Sequence, residues 1–587
     1  MTRNQWLLTI GAVVVVSLLA LACVAFLAVG MLANRNASLS ESGPVGQPPA
    51  QVTAEVREQP EEPPSTQQES SPAEQPKSSE PAQPQERRTG GTLVLVGADP
   101  ATLDPHLVTD FESATYIVEI FSGLVGLNPN LEIVPDLAES WEVDDSGTVY
   151  TFHLREDAQF HDGRSVTAQD FKWSFERVLD PQTRSTVAGL YMNDIVGAMD
   201  KLEGKADEVE GIKVIDDHAL QITIDAPKAY FLAKLTYPTG FVLDQANVES
   251  GGRTWTDQPN GTGAFRLREY RLGEEIVLER NPFYYGEPKP SVQRVEFLLA
   301  GGSAMIMYES GDIDATPVGL ADVERVLDPT DPLHDELTVV APTLSTFYVG
   351  LNNKIPPFDD PKVRQAFNYA IDKEILANVV LRRTRVPAEG ILPPKMPAHN
   401  PKLDVYDFDV ERAKELIAES AYGSVDDLPD ITLTTSGAGA EPGLVATAVI
   451  GMLEQNLGIE VSVELVESAI FLTEVGEANY QMFVLGWSAD YPDPQDFLDI
   501  MFHSQSTNNH MNYSNPEVDR LLEEARVEQD HEKRMQLYQE IERTIVEDAP
   551  WIPLFHNAEY WLTKPHVKGM VYPPAVVPRL KYVWLEK

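Results

Sequence analysis

Met482-Phe-Val-Leu-Gly-Trp-Ser-Ala-Asp-Tyr-Pro-Asp-Pro494 is the stretch from which the fold is read. Its first four residues are apolar and have strand composition. Pro492 and Pro494 then stiffen a turn. Trp487, Asp490 and Tyr491 are thereby expected where the chain leaves a sheet, the position at which α/β proteins place binding clefts. A carboxylate beside two aromatics suits an ammonium ion, through charge-assisted hydrogen bonding and cation–π attraction. The competing reading has Asp490 capping the turn and Trp487 packed in the core.

Outward from this stretch, strand-like and helix-like segments alternate. Thr92-Leu-Val-Leu-Val96 and His218-Ala-Leu-Gln-Ile-Thr-Ile224 have strand composition. Thr167-Ala-Gln-Asp170 reads as a capping box, and Phe171, Phe175, Val178 and Leu179 after it share one helical face. Asp360-Pro361 and Asn515-Pro516 each combine an N-cap with a proline at the first helical position. A further helix from about Asp409 is expected to end at Gly423 as a left-handed cap. Mixed α/β structure follows, and the absence of a 20- to 50-residue period excludes a solenoid or propeller.

The chain has 587 residues, with 45 Lys and Arg against 91 Asp and Glu and a net charge of -46. Such acidity disfavours nucleic acid as a partner, because phosphate attraction needs a basic surface. Cys23 is the single cysteine, so no intramolecular disulfide and no paired-cysteine metal or redox site is possible. Trp6 to Ala33 form a run of 28 residues without a charge, long enough as a helix to cross a hydrocarbon layer of about 30 Å. The run exceeds the core of a secretory signal, which favours an uncleaved anchor. Leu21-Ala22-Cys23 also resembles a lipobox in which Cys23 would be acylated, against a less usual Ala20 and an apolar continuation to Ala33. Arg3 and Arg35 flank the run evenly and do not decide its orientation. Residues 35 to 88 contain 10 prolines and no aromatic residue, and so read as a disordered Pro/Glu/Gln/Ser-rich linker.

Motifs for catalysis are missing: no P-loop, no H-E-x-x-H, no G-x-S-x-G and no dinucleotide fingerprint occurs. His161-Asp162-Gly163 is one His and one Asp without further ligands at suitable spacing, and reads as a turn. Thr435-Ser-Gly-Ala-Gly-Ala440 reads as a loop. His153, His503, His510 and His556 are scattered and define no triad. The chain is therefore read as a non-enzyme without metal or cofactor.

Ordered matches along the folded region carry a resemblance. They are Gly90-Gly-Thr-Leu-Val94 with Leu103-Asp-Pro105, Val134-Pro-Asp-Leu-Ala-Glu-Ser-Trp141, Tyr150-Thr-Phe-His-Leu-Arg155, Phe160-His-Asp-Gly163 and Thr167 to Asp170. Gly261-Thr-Gly263, Glu279-Arg-Asn-Pro282, Pro357-Phe-Asp-Asp-Pro361 with Val363-Arg-Gln-Ala366, Gly486-Trp487 with Ala489-Asp-Tyr-Pro-Asp-Pro494, and Tyr513-Ser-Asn-Pro516 continue the series. In these the chain resembles the extracellular solute-binding proteins of family 5, which serve oligopeptide and dipeptide ABC importers.

The resemblance implies a bilobal periplasmic-binding-protein-like α/β fold (type II, cluster C) with an extra subdomain inserted in the first lobe. By analogy, lobe I takes 89–132, 262–345 and 556–587, the insert 133–261 and lobe II 346–555, following an anchor or lipoprotein signal at 1–34 and the linker at 35–88. It implies capture of an extended peptide between closing lobes by main-chain hydrogen bonds. Asp490 would meet the peptide's amino group, Gly486 and Ser488 would give main-chain contacts, and Trp487 and Tyr491 would shape the wall. Asp110 and Phe111 would lie on the facing edge. The implied partners are a peptide, the ABC permease and, through the anchor, the cell membrane, with the domain outside and the protein a monomer. Alternatives in the same role are an oligosaccharide or a nickel- or haem-type ligand; a peptide-sensing surface receptor is a further reading.

Overall fold

Thr92–Val96 turns Leu93 and Leu95 inward and leaves the residues between them partly exposed, the period of a strand. It pairs in parallel with Arg294–Leu298 and touches Ala315–Pro317 on its other side. A seven-stranded sheet results, in the order Leu337–Val340, Glu559–Thr563, Ala315–Pro317, Thr92–Val96, Arg294–Leu298, Glu275–Arg280, Phe265–Arg271. This computed structural model describes residues 89–586 except 341, 404 and 438–440. The expected anchor, Cys23, the linker and part of the 435–440 loop lie outside the described residues. Among those described, no helix is long and apolar enough to cross a membrane.

A six-stranded sheet runs Arg385–Pro387, Trp551–Asn557, Ser345–Leu351, Met482–Ser488, Ile431–Ser436, Val461–Val466. Trp551–Asn557 is buried along nearly its whole length, as a strand with both faces covered must be. Pro553 has no N–H to give, and the register shifts between Phe347 and Tyr348 where it is met. Four more strands, Ala138–Val143, Val149–Leu154, Ala219–Thr223 and Ile212–Asp216, form a third sheet. The chain passes between the two large sheets between Val340 and Ser345 and again at Ala558. Thr343 N–H donates to Asn557 O at 2.8 Å and ties these crossings together.

Helix starts follow the local chemistry. The backbone N–H of Thr167 donates to Asp170 Oδ2 at 2.9 Å, closing one side of the capping box, and Phe171, Phe175, Val178 and Leu179 are all buried. Asp360 accepts from Lys362 N–H at 2.8 Å, and Asn515 from Glu517 N–H at 3.1 Å. The helix Val410–Glu419 differs from expectation, because it ends before Gly423. Ser420 Oγ donates to Ile417 O, and Ala421 N–H is drawn to Asp360 Oδ2 at 2.7 Å, so the chain leaves helical geometry three residues early.

One hydrophobic core joins the seven-stranded and four-stranded sheets, bringing Leu93 and Val295 together with Phe152, Phe171 and Leu220. The six-stranded sheet has a core on each face. One holds Val363, Phe367 and Leu453; the other holds Tyr348, Phe497, Leu522 and Tyr538, and also takes in Tyr191 and Ala233 from the neighbourhood of the four-stranded sheet. Each fully buried Val, Leu or Phe side chain among these contributes about 1.5 to 3 kcal/mol.

Candidate ligand-binding site

The strand Met482–Ser488 is longer than its apolar start, because pairing with Ser345–Leu351 carries Gly486, Trp487 and Ser488 into the sheet. Gly486 lies under the Phe347 ring, and a Cβ there would come within 2.9 Å of it. On the other side of this strand, the parallel pairing with Ile431–Ser436 covers Met482 and Phe483 only. From Val484 to Ser488, one edge of the main chain therefore has no strand partner among the described residues. An extended ligand could add there as a further strand.

Beyond Ser488 the turn is held at several points. Ala489 N–H donates to Leu344 O at 2.7 Å. Asp493 receives Arg534 through bonds of 2.8 and 2.6 Å. Tyr491 is fully buried, with its hydroxyl on Gln495 Oε1. Pro494 then leads into the helix Gln495–Phe502.

Asp490 is half-buried and sits at the centre of this turn. The Tyr191 hydroxyl donates to its Oδ2. Tyr191 stacks on Tyr237 at 3.9 Å and meets Tyr491 edge-on at 6.3 Å, while Tyr237 donates to Val108 O at 3.1 Å. Behind Asp490 is the fully buried Asp496, whose Oδ2 accepts from Asp490 N–H at 3.1 Å and from Trp487 Nε1 at 3.3 Å. Its other oxygen is buried without a hydrogen-bond partner among the described residues. Burial pushes the Asp490 carboxyl up. Burial and then the charge of Asp490 push Asp496 up further. Burial and the same carboxylate charge raise the phenols of Tyr191 and Tyr237. The result is a carboxylate pair among three aromatic rings, an environment that rewards an incoming cation.

Of the residues expected at the site, Asp490, Trp487, Tyr491, Gly486 and Ser488 are brought together on this strand and turn. Trp487 packs its ring against the core, and its indole N–H donates to Asp496. Asp110 caps the helix Phe111–Ile120 by accepting from Ser113 N–H at 2.8 Å, and its Oδ2 is buried without a partner among the described residues. Phe111 is 60% exposed. Tyr237 relates this edge to Asp490, because it bonds the chain at Val108 and feels the charges of Asp490, Asp496 and Asp110.

The sequence reading missed Tyr191, Tyr237 and Asp496. Tyr191 is 299 positions from Asp490 and nothing local marks it. Asp496 carried a signal, being an acid in the first turn of a helix just after the motif. Among the described residues no group of three or more His, Cys, Asp or Glu is placed to hold a metal ion. His161-Asp162-Gly163 forms a turn, with Gly163 at φ 92°.

The family model described as bacterial extracellular solute-binding proteins, family 5 Middle, matches residues 132–509. The periplasmic oligopeptide-binding protein OppA of Escherichia coli is 32% identical over 484 residues, covering 81% of this chain and 88% of that protein. Among solved structures, the periplasmic oligopeptide-binding protein OppAIV of Borrelia burgdorferi matches with a TM-score of 0.74 at 30% identity, over 85% of this chain and 100% of that one. The ABC transporter-associated periplasmic binding protein DppA of Helicobacter pylori, solved in complex with the peptide STSA, matches with a TM-score of 0.73 at 28% identity, over 85% and 99%. The chain belongs to the bacterial extracellular solute-binding proteins, family 5.

Proposed function

We propose that this protein is the extracytoplasmic substrate-binding component of an ABC importer, capturing peptides between two lobes and delivering them to the permease. The observation that carries the reading is the conjunction of Asp490 with the unpartnered main-chain edge at Val484–Ser488. The carboxylate receives the peptide's ammonium, and the strand edge receives its main chain. Gly486 and Ser488 make the main-chain contacts, Trp487 and Tyr491 hold the wall, and Asp110 and Phe111 border the ligand from the facing side. Because main-chain groups fix the ligand, side-chain preference is broad.

Lobe I is proposed as 89–132, 262–345 and 556–587, the insert as 133–261 and lobe II as 346–555, closing about the paired crossings near Thr343 and Asn557. The run Trp6 to Ala33 tethers a monomer to the cell membrane, with the domain on the extracytoplasmic side, and the protein performs no catalysis. Native mass spectrometry of the purified protein, followed by denaturing extraction, tests the ligand class. A ladder of peptide masses is expected. A single oligosaccharide or metal-chelate mass would overturn the peptide reading.

A further inference from the structure

The cations around the Asp490 turn already have carboxylate partners. Arg534 is bonded twice to Asp493, and Arg526 to Asp499 through two bonds of 2.7 Å. Lys228 and Lys234 bind Asp194 at 2.6 and 2.8 Å. Asp490 and Asp496 have no ion-pair partner among the described residues. The other groups in electrostatic reach are phenols or acids: Tyr191 and Tyr237 from the side of the four-stranded sheet, Tyr491 and Asp493 from the turn itself, and Asp110 at the N-terminus of Phe111–Ile120 through Tyr237.

A fully buried carboxylate that accepts from the backbone N–H of a second, half-buried acid, with no counter-cation for either among the described residues, does not hold a full charge beside it. Neutrality comes from a proton or from a bound cation. Asp496 is fully buried, and its contacts to the ligand region run through Asp490 and Trp487. It is also the member with a bare oxygen, Oδ1, on which a proton can reside.

We propose that Asp496 is the positioning residue for the ligand's ammonium: it fixes Asp490 and Trp487 through its Oδ2, and by carrying a proton that leaves when the ammonium pairs with Asp490 it makes ligand capture an exchange of that proton for the incoming cation. The inference rests on the reading of Asp490 as the ammonium site. No bond is made or broken in the ligand; the proton leaves to solvent as the ammonium enters. Free-amine ligands then bind more tightly as pH rises toward neutrality, and capture releases protons in slightly acid solution.

Calorimetric titration of the full chain with trialanine at pH 6 and pH 8, in buffers of different ionisation enthalpy, counts the protons released. Wild type is expected to release a substantial fraction of one proton per peptide at pH 6 and less at pH 8. Asp496→Asn presents an amide oxygen to the same two N–H donors. It is expected to lower the release and flatten the pH dependence, while Asp496→Ala, which offers no acceptor, binds about tenfold more weakly than Asp496→Asn. Trialanine preferred over N-acetyltrialanine but bound without proton release, or with a release that Asp496→Asn leaves intact, overturns the role of Asp496 alone. Trialanine that fails to bind, or binds no better than its N-acetyl form, overturns the ammonium site beneath it. Should Asp496→Asn not fold, the wild-type release still decides, since none at either pH contradicts the exchange.

Discussion

Two acid sites, a buried one at Asp194 and a half-buried one at Asp490, meet in the segment Tyr191 to Asp194, and they have opposite chemistry. Asp194 is 1% exposed and is held by Lys228 and by the equally buried Lys234, which also donates to Asn193 Oδ1 at 2.9 Å. Although burial opposes it, the charges of the two lysines hold the Asp194 carboxyl below its usual range. Asp490, contacted by Tyr191 three residues earlier, has a phenol and no cation among the described residues, and burial moves its carboxyl the other way. A buried charge with its partner built in belongs to the fold. One without a partner costs stability, and the proposed ligand ammonium would supply the opposite charge.

The contrast breaks most visibly at Asp194. Asp194→Asn leaves Lys234 buried without its carboxylate, and is expected to cost about 3 to 5 kcal/mol in a denaturant titration, by a similar amount with or without peptide. A loss below 1 kcal/mol would show that the pair is not structural. Asp490→Asn should do the reverse, lowering affinity for a free-amine peptide on the order of 100-fold while leaving the urea midpoint at pH 8 equal or higher.

The pH dependences have opposite signs. The folded state favours the neutral form of Asp490 and Asp496, so their contribution declines as pH rises from the ordinary carboxylate range toward neutrality. Asp194, held down in the folded state, contributes above its ordinary range, and that contribution is lost as pH falls through its lowered value. Ligand-free wild type should thus lose stability relative to Asp490→Asn between pH 5 and pH 8, as urea midpoints of both proteins would record. Parallel profiles would remove the distinction. Tyr191→Phe, which deletes one donor to the carboxylate, is expected to weaken peptide binding about fivefold. The smallest effect is expected for Ser488→Ala, within about twofold, because the contact proposed at Ser488 is with its main chain; Ser488→Pro, lacking the N–H, is expected to lose more.

Much of the fold was legible because its signals are local. The caps at Thr167, Asp360 and Asn515 each act within three residues, and the buried helical faces behind Thr167 and Asp360 follow from spacing. Where tertiary contact decides, local reading failed. Ser420 leaves its helix because Asp360 takes the next N–H, and Gly486 to Ser488 become strand because Ser345–Leu351 pairs with them, although glycine and serine have little strand preference. The site divides in the same way. Asp490, Trp487 and Tyr491 lie on one short stretch whose prolines announce a turn. Tyr191 and Tyr237 reach that turn only through packing of a distant segment, and their own neighbours give no sign of it.

The most direct test of the account is the affinity of one peptide and its N-acetylated form for wild type and for Asp490→Asn. Acetylation is expected to weaken binding to wild type on the order of 100-fold and to have little further effect on the variant, since both changes remove the same proposed ion pair. An equal penalty for acetylation in the two proteins would contradict it, and would place the ligand's ammonium away from Asp490.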